Sequence, residues 1–502
     1  MLQVLGNPKR LCDGLSRRDL LQVGGLGALG LTLGDFFRLR EAGAAEAPAG
    51  PQVGGFGRAK ACILLFLYGS PSQLETFDVK PDAPEGIRGS FGTIPSSVPG
   101  YRVGELLPRT ARIMHKVTVL RSLTHRYPIH GVAYATTGTP AIDVAMELSP
   151  HDSRHWPYIG SVVAYLNEQR DHGRRRPVPD NVFLPFPFSS QREGEVPRAG
   201  PYPAWLGGAY RPHFTNFEGE ATRTFTKTLA SRTLDVREPY MGVTPSSHFT
   251  LGSAATLPAD ITIDRFAARR SLLQQLDAGH RAFEAAEASR VLDKQRQMAY
   301  SLIASDKVGA ALDVRREPPA VRDRYGMTLF GQSCLAARRL VEAGSRFVTV
   351  FWDEYGLAGS GWDTHWDHFN RMKEELCPGF DAGFAGLLAD LDERGLLDET
   401  LVICLSEHGR TPKLSPAKGG GRDHWSRAYS AVLAGGGVAR GHLVGRTDKI
   451  AGDVRERPIS PKDILATTYH LLGLHPETLL YDRTKRPLPL VPDAEVLSDI
   501  LT

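Results

Sequence analysis

Cysteine is scarce in this chain, and the sequence also lacks a strong excess of charge of either sign. Five of its 502 residues are cysteine, and no two of them are spaced as Cys-x-x-Cys. A disulfide framework is therefore not expected, because disulfide-stabilised domains carry many cysteines in a short chain. The 60 basic and 56 acidic residues leave a formal net charge of +4. This balance excludes nucleic acid as the main partner, because nucleic-acid binders concentrate basic charge on one face.

The N-terminal segment lacks an apolar run long enough to cross a bilayer. Its apolar stretch, Leu20 to Leu33, is shorter than the roughly 20 residues that a spanning helix requires. The pair Arg17-Arg18 precedes this stretch, and small residues at 42–45 follow it. This order is typical of a twin-arginine signal peptide, predicted here at residues 1–45. We expect a periplasmic or extracellular protein with no stable membrane span once the leader is cleaved; an uncleaved leader would act as an anchor.

After a linker rich in alanine, glycine and proline, predicted at residues 46–58, apolar runs alternate with helical patterns. The run Lys60–Tyr68 is apolar throughout after its lysine, which is typical of a strand buried on both faces of a parallel sheet. Cys62 and Cys404 lie inside such runs and are expected to be buried. The alternation predicts one α/β domain over residues 59–500, with a mostly parallel central sheet and helices on both faces.

Residues 185–318 break this alternation. Their first part is dense in proline, glycine and aromatic residues, and residues 262–310 have the pattern of long polar helices. A long stretch without regular structure in a compact domain is usually functional or an addition to the main fold. We therefore predict an irregular and helical insertion in the main domain over this stretch.

Three loops next to predicted strands each carry a carboxylate and an imidazole close together in sequence. Ligands bind beyond the carboxyl ends of the strands in an open α/β sheet, so these loops are expected to meet. Carboxylate and imidazole groups are ligands for zinc, manganese or iron. Two such cations can hold the attacking and leaving oxygens of a phosphoryl or sulfuryl transfer. The candidate ligands are Asp363 with His365, Glu407 with His408, and His424 beside Asp423.

Each of these pairs also has a plainer interpretation when taken alone. Asp363 or Asp423 would serve as a helix cap, and Glu407 with His408 would lie in a surface loop. Their joint position at strand ends favours a metal site over three separate coincidences. Arg410 and Arg422 lie in the same loops and are predicted to hold an anionic substrate group, because a guanidinium binds oxyanions in a bidentate manner.

Several long motifs resemble the exported bacterial family labelled domain of unknown function 1501. They begin with Gly69-Ser-Pro-Ser-Gln-Leu-Glu-Thr-Phe-Asp78 and include Trp362-Asp-Thr-His365, Glu407-His-Gly-Arg-Thr-Pro412, Gly421-Arg-Asp-His-Trp425 and Ala434-Gly-Gly-Gly437. The similarity extends from about residue 12 to the C-terminus. That family in turn looks like a branch of the alkaline phosphatase and sulfatase superfamily.

The resemblance implies an alkaline phosphatase-like fold with a two-metal site on the rim of the sheet. In that superfamily an aspartate and a histidine follow one strand, an acidic residue and a histidine follow another, and a late histidine completes the site. Asp363 and His365 look like the first set, Glu407 and His408 like the second, and His424 like the late histidine. The implied cofactor is one or two divalent ions, zinc or manganese.

Two departures from the superfamily pattern concern the first strand and the nucleophile. The position directly after the first strand, usually acidic, holds Gly69 and Ser70, so that Asp78 or Glu75 would have to substitute as a ligand. The expected serine, threonine or modified cysteine is also missing from the nucleophile region. His130 lies near that place and would act as a base or as a ligand.

These features together predict an exported, metal-dependent hydrolase of a phosphate or sulfate ester. His130, Arg410 and Arg422 would act on the substrate, which would be a small anionic ester or a sulfated or phosphorylated glycan. One alternative is a non-catalytic binding or assembly protein that keeps the fold with a structural metal or a degenerate site. Another is a transferase or mutase acting on phosphorylated sugars.

Overall fold

The computed structural model describes residues 53–171, 176–194, 196–229, 232–251, 306–357 and 359–502. The predicted leader, most of the predicted linker and most of the helices predicted at 262–310 lie outside the described residues. In the described part of the chain, no helix is both long enough and apolar enough to span a bilayer. The fold belongs to one unit, Gly54–Thr502.

The central sheet is mostly parallel, which confirms the prediction. Its strand order is β5-β4-β3-β6-β1-β7-β8-β2-β9. Five neighbouring pairs are parallel, and three are antiparallel. The nine strands are β1 (Ala61–Leu67), β2 (Val117–Leu123), β3 (Asn181–Leu184), β4 (His213–Glu218), β5 (His248–Leu251), β6 (Phe347–Trp352), β7 (Thr400–Leu405), β8 (Tyr429–Ala434) and β9 (His442–Val444).

Strand β1 lies at the centre of the sheet, and all seven of its residues are buried. It pairs in parallel with β6 on one side and with β7 on the other. Successive side chains of a strand point to opposite faces, so Ile63 and Leu65 pack in one apolar cluster and Leu64 and Phe66 in a second. Burial on both faces explains why this segment is continuously apolar.

Helices cover both faces of the sheet. Residues of α8 and α10 pack in the cluster that contains Ile63, and residues of α5 and α11 pack in the cluster that contains Leu64. The helices are α1 (Glu85–Arg88), α2 (Pro108–Ile113), α3 (Val132–Thr137), α4 (Val144–Glu147), α5 (Ile159–Arg170), α6 (Lys307–Leu312), α7 (Pro319–Tyr325), α8 (Leu329–Ala343), α9 (His368–Asn370), a π-helical turn (Arg371–Leu376), α10 (Cys377–Glu393) and α11 (Pro461–Leu471).

At the start of α11, Ser460 and Asp463 form a reciprocal capping box, and Pro461 lies in the first turn. Helices α7 and α8 follow each other closely along the chain. Gly326, at φ +83°, separates them. The four cysteines in the described residues are buried and free, as expected without a disulfide framework.

Part of the stretch predicted as an insertion joins the central sheet. Strand β4 pairs with β3 in parallel, and β5 pairs with β4 in antiparallel. The remaining strands form two-stranded pairs: Thr93–Pro95 with Arg102–Gly104, Arg192–Glu193 with Gly356–Leu357, Thr224–Leu229 with Arg232–Arg237, Gly409–Arg410 with His424–Trp425, Arg446–Thr447 with Val454–Glu456, and Leu479–Tyr481 with Pro487–Pro489.

The loops after β1, β6 and β7 meet because these three parallel strands are neighbours and end at the same edge. Gly69 allows the loop after β1 to pack directly against the loop that carries Asp363. A Cβ atom on Gly69 would lie 2.3 Å from the backbone nitrogen of Asp363, and its φ of +89° also disfavours any other residue. Glycine at this position therefore brings the loop after β1 into contact with the loop after β6.

Candidate metal centre

Imidazole and carboxylate groups from four loops converge at the carboxyl edge of β1, β6 and β7. Two overlapping groups have ligand atoms that all lie within 4.8 Å of one another. One group is His130, His408 and His424, and the other is Asp363, His365 and His424. We call these five residues the histidine cluster. His424 belongs to both groups, and its short strand pairs with the strand that contains Arg410.

Donor atoms of the histidine cluster lie 3.0–3.4 Å apart, which is close to the spacing of ligands around a single ion. His424 Nε2 lies 3.1 Å from His365 Nε2 and 3.3 Å from Asp363 Oδ1. His365 Nε2 is 3.0 Å from the same oxygen, and His130 Nε2 is 3.4 Å from Asp363 Oδ2. Ligand atoms around tetrahedral zinc, with bonds of about 2.0–2.2 Å, stand roughly 3.3–3.6 Å apart. The donor set thus fits a divalent ion such as zinc.

The ring nitrogen Nε2 of His408 is buried and has no hydrogen-bond partner among the described residues. Its ring is completely buried, and Nδ1 lies 2.9 Å from the carbonyl oxygen of Gly409. Because that contact requires the proton on Nδ1, Nε2 carries the lone pair, and within the described residues it has no hydrogen-bond partner. A buried acceptor without a partner is costly, so this nitrogen fits a bound ion.

Glu407 lies next to the cluster and positions His130. Its Oε1 accepts a hydrogen bond from the backbone nitrogen of Gly69 at 2.7 Å and lies 3.0 Å from His130 Nδ1. Its Oε2 is buried and has no partner among the described residues. The ring of Tyr68 stacks on the imidazole of His130, with 4.8 Å between the ring centroids. These contacts fix the imidazole so that Nε2 faces Asp363.

The pKa values show which cluster groups are ready to bind a cation. Burial lowers the pKa of His408 well below its usual range and that of His424 to about 4, which keeps both rings neutral. For Asp363, burial opposes ionisation, but Arg410 and His130 outweigh it and hold its pKa well below the usual range. Neutral imidazole and ionised carboxylate are the forms that bind metal.

His130 and His365 differ from His408 and His424, because nearby carboxylates raise the pKa of both rings. For His130 the shift is large. Burial would lower its pKa, but Asp363 and Glu407 together raise that pKa to about 9. In the absence of an ion, its positive charge is therefore balanced by the two carboxylates. Binding of a cation at His130 would displace this proton.

Arg410 is placed differently from the prediction. Its guanidinium is fully buried, and Nη2 donates to Asp363 Oδ1 at 2.6 Å. Nε donates to the carbonyl oxygen of Ser70, and Nη1 to that of Arg422. Arg410 thus holds the carboxylate of a candidate ligand instead of facing a substrate.

The structure also does not bring Arg422 to the histidine cluster. Its Nε and Nη2 donate to Glu75 Oε1 at 3.1 and 2.5 Å. The remaining donors are used by the carbonyl oxygens of Ile87, Thr411 and Pro412. Because all N–H directions have internal acceptors, the role predicted for Arg422 in anion binding does not agree with its position.

Neither of the two acidic residues considered as replacement ligands after β1 reaches the cluster. Asp78 is buried between Lys80, at 2.9 Å, and the hydroxyl of Thr447. Glu75 faces Arg422 and His368. His368 is fully buried beside Glu75, and its Nδ1 lies 2.8 Å from the Thr364 hydroxyl.

Sequence reasoning missed two residues that support the site. Asp423 Oδ1 lies 2.7 Å from His365 Nδ1, which directs Nε2 of that ring towards Asp363. A carboxylate behind a histidine ligand fixes its orientation and tautomer. Arg371 donates from Nη1 to the carbonyl oxygen of Asp363 at 3.0 Å and from Nη2 to that of Gly361. The proximity of Asp423 to His424 in sequence was a signal for the first; nothing local indicated the second.

The fold and the cluster define an α/β protein with a candidate histidine–aspartate metal centre at the carboxyl edge of its sheet. The model of the family described as "Protein of unknown function (DUF1501)" matches residues 59–501, and the chain belongs to that family. This confirms the family predicted from the motifs. A comparison with the curated proteins gives no match.

Three solved structures show distant similarity to this chain. The PsFucS1 sulfatase from Pseudoalteromonas sp. is 12% identical, with 89% of this chain and 72% of that chain covered and a TM-score of 0.37. The Ps i-CgsB structure in complex with k-i-k-neocarrahexaose is 12% identical, with 83% and 72% covered and a TM-score of 0.34. The phosphonate monoester hydrolase SpPMH from Silicibacter pomeroyi is 12% identical, with 88% and 76% covered and a TM-score of 0.32.

Proposed function

We propose that this protein is an exported, metal-dependent hydrolase of phosphate or sulfate esters that acts in the periplasm or outside the cell. The observation that carries the proposal is the convergence of five side chains in two overlapping groups, within each of which the ligand atoms lie no more than 4.8 Å apart. These side chains are those of His130, His408, His424, Asp363 and His365. The partnerless Nε2 of His408 supports it, because a bound cation would satisfy that buried nitrogen.

The residues of this chain have distinct roles in the proposed site. Asp363, His365 and His424 would hold one ion, with His130 and His408 available beside His424. When bound, zinc or manganese would polarise an ester oxygen and lower the pKa of water. Glu407 orients His130, Asp423 orients His365, and Arg410 keeps Asp363 ionised. A cationic centre would attract an anionic ester, which supports the proposed substrate class.

Metal content tests the proposal directly. Protein purified without chelators is expected to contain about one or two equivalents of zinc or manganese by elemental mass spectrometry. His424→Ala removes the residue shared by both groups and is expected to lose most of this metal. His442→Ala, at an exposed histidine of β9, is the matched control and should retain it. Folded wild-type protein without metal, or an unchanged content in His424→Ala, would overturn the proposed site.

Turnover of aryl phosphates and aryl sulfates by the metal-loaded protein tests the reaction itself. Loss of this activity in His424→Ala, but not in His442→Ala, is the expected result.

One observation favours a second function, a non-catalytic binding protein with a structural metal: Arg410 and Arg422 both have internal partners. Bound metal without turnover of any ester would support that second function and exclude the first.

A further inference from the structure

A second concave site lies among residues that contribute nothing to the histidine cluster. It is a pocket with a volume of about 810 Å³. Its walls come from the loop before α5, the segment that leads from β3 to β4, and the turn between Leu479–Tyr481 and Pro487–Pro489. Ligand pockets usually measure about 300–1,000 Å³, so this volume suffices for a ligand of several rings.

Three half-buried aromatic residues, Trp156, Tyr202 and Trp205, line the pocket. Tyr202 and Trp205 also pack against the apolar core that contains α5. Their rings are therefore held in place by the fold and retain exposed surface at the pocket. Rigid aromatic side chains of this kind supply flat apolar surface at little cost in conformational entropy.

The rim of the pocket carries arginines in two different situations. Arg154 pairs with Asp152 at 2.7 Å, and Arg486 pairs with Asp482 at 3.2 Å. Arg211 and Arg483 are exposed, and neither forms an ion pair with any residue that the structure describes. Arg211 lies over the ring of Phe214, at 5.6 Å from its centroid, and has no carboxylate partner there. Two guanidinium groups without a carboxylate partner therefore give the rim capacity for anionic groups, which they bind with fork geometry.

A buried histidine, His155, anchors the pocket wall to the loop around α4. The Nε2 of His155 lies 3.0 Å from the carbonyl oxygen of Met146 and 2.9 Å from that of Ser149, so Nε2 carries the proton. Its Nδ1 is buried and has no partner within the described ranges. The residue is 6% exposed.

We propose that this pocket binds an acidic oligosaccharide. Pyranose rings combine apolar C–H faces with hydroxyl edges, and the pocket offers aromatic surface together with the carboxylates of Asp152 and Asp482. Carboxylate or sulfate groups on the sugar pair with Arg211 and Arg483. A small inorganic anion would leave the aromatic walls without contacts, and a neutral sugar would leave both guanidinium groups unpaired. The inference does not depend on metal or on turnover at the histidine cluster.

Isothermal titration calorimetry with the full chain tests this site. The probes are hexasaccharides of polygalacturonate and of chondroitin sulfate, a neutral cellohexaose, and polyglutamate of similar charge. One or both acidic hexasaccharides should bind, and which of them binds distinguishes a carboxylated from a sulfated ligand. Equal binding of cellohexaose would overturn the role of the arginines. Equal binding of polyglutamate, or no binding of either acidic hexasaccharide, would overturn the saccharide assignment.

Variants locate the binding within the molecule. Arg211→Ala and Arg483→Ala should each weaken binding about tenfold, since a charge-assisted hydrogen bond contributes at least that much. Trp205→Ala should weaken it as well, with circular dichroism as a check of folding. Arg112→Ala, at an exposed arginine of α2, is the matched control and should bind as wild type does. His424→Ala should also bind normally, which separates this site from the metal centre; unchanged binding in both pocket arginine variants would overturn the proposal.

Discussion

At the scale of single residues, the candidate metal centre depends on partners that orient its ligands as much as on the ligands. The side chain of Asp423 is 64% accessible, yet its carboxylate contacts Nδ1 of His365 and thereby orients that ring. Arg410 and Glu407 have the same relation to Asp363 and His130. Such partners determine the tautomer and direction of an imidazole, and hence its affinity for a cation.

We expect Asp423→Ala to weaken metal binding about 10- to 100-fold, because His365 loses the acceptor that directs its Nε2. The fold should remain intact, since Asp423 is largely exposed. Competition with a fluorescent zinc chelator measures the affinity. Asp82→Ala, at an exposed aspartate, serves as control and should bind metal as wild type does. Equal affinities in the two variants would show that Asp423 does not support the site.

At the scale of elements, the site depends on loops that come close enough for their backbones to touch. Gly69→Ala is expected to destabilise the protein by at least about 2 kcal/mol, because the residue has a positive φ and a Cβ would meet Asp363. Chemical denaturation followed by circular dichroism measures the loss. Gly86→Ala is the control, since no atom lies within 4 Å of a Cβ at that position. A neutral Gly69→Ala would mean that the two loops have room to separate.

The pair Glu75–Arg422 ties the loop after β1 to the segment before β8. Burial would raise the pKa of Glu75, but Arg422 outweighs it and lowers that pKa from 4.5 to about 2. A carboxylate with a depressed pKa contributes stability above its unfolded value, and this contribution is lost as the pH falls from 4.5 towards 2.

We therefore expect Glu75→Gln to cost about 3 kcal/mol near neutral pH, where it leaves Arg422 buried without its counter-charge. The stability difference between wild type and variant should shrink in acid, which urea denaturation at about pH 7 and about pH 3 measures. Glu105→Gln, at an exposed glutamate, should show no such difference at either pH. A Glu75→Gln penalty that is the same at both pH values would contradict the charge pairing.

At the scale of the whole molecule, the sequence predicts those features that depend on periodicity and on strand order. The apolar run of β1 predicts a central buried strand, and the sheet confirms it because β6 and β7 cover both of its edges. The loops that carry Asp363 and Glu407 lie side by side because they follow neighbouring parallel strands. These features can be predicted because apolar runs and the loops after them recur along the chain.

Partners that are distant along the chain were not predictable. Nothing near Arg422 indicates that Glu75, which is 347 positions away, accepts its hydrogen bonds. Strands β4 and β5 lie in a stretch whose proline and aromatic content masks their pattern. In each case, tertiary packing decides the outcome.

The histidine cluster gathers residues from position 130 to position 424. Because His424 belongs to both groups of candidate ligands, the proposed uptake of an ion would have to wait until the late strand with His424 has docked. The metal would then bind only the folded domain, and its binding free energy would add to the stability of the folded state alone. A nascent or misfolded copy would compete poorly for scarce zinc, and the ion would be reserved for copies that have completed their sheet.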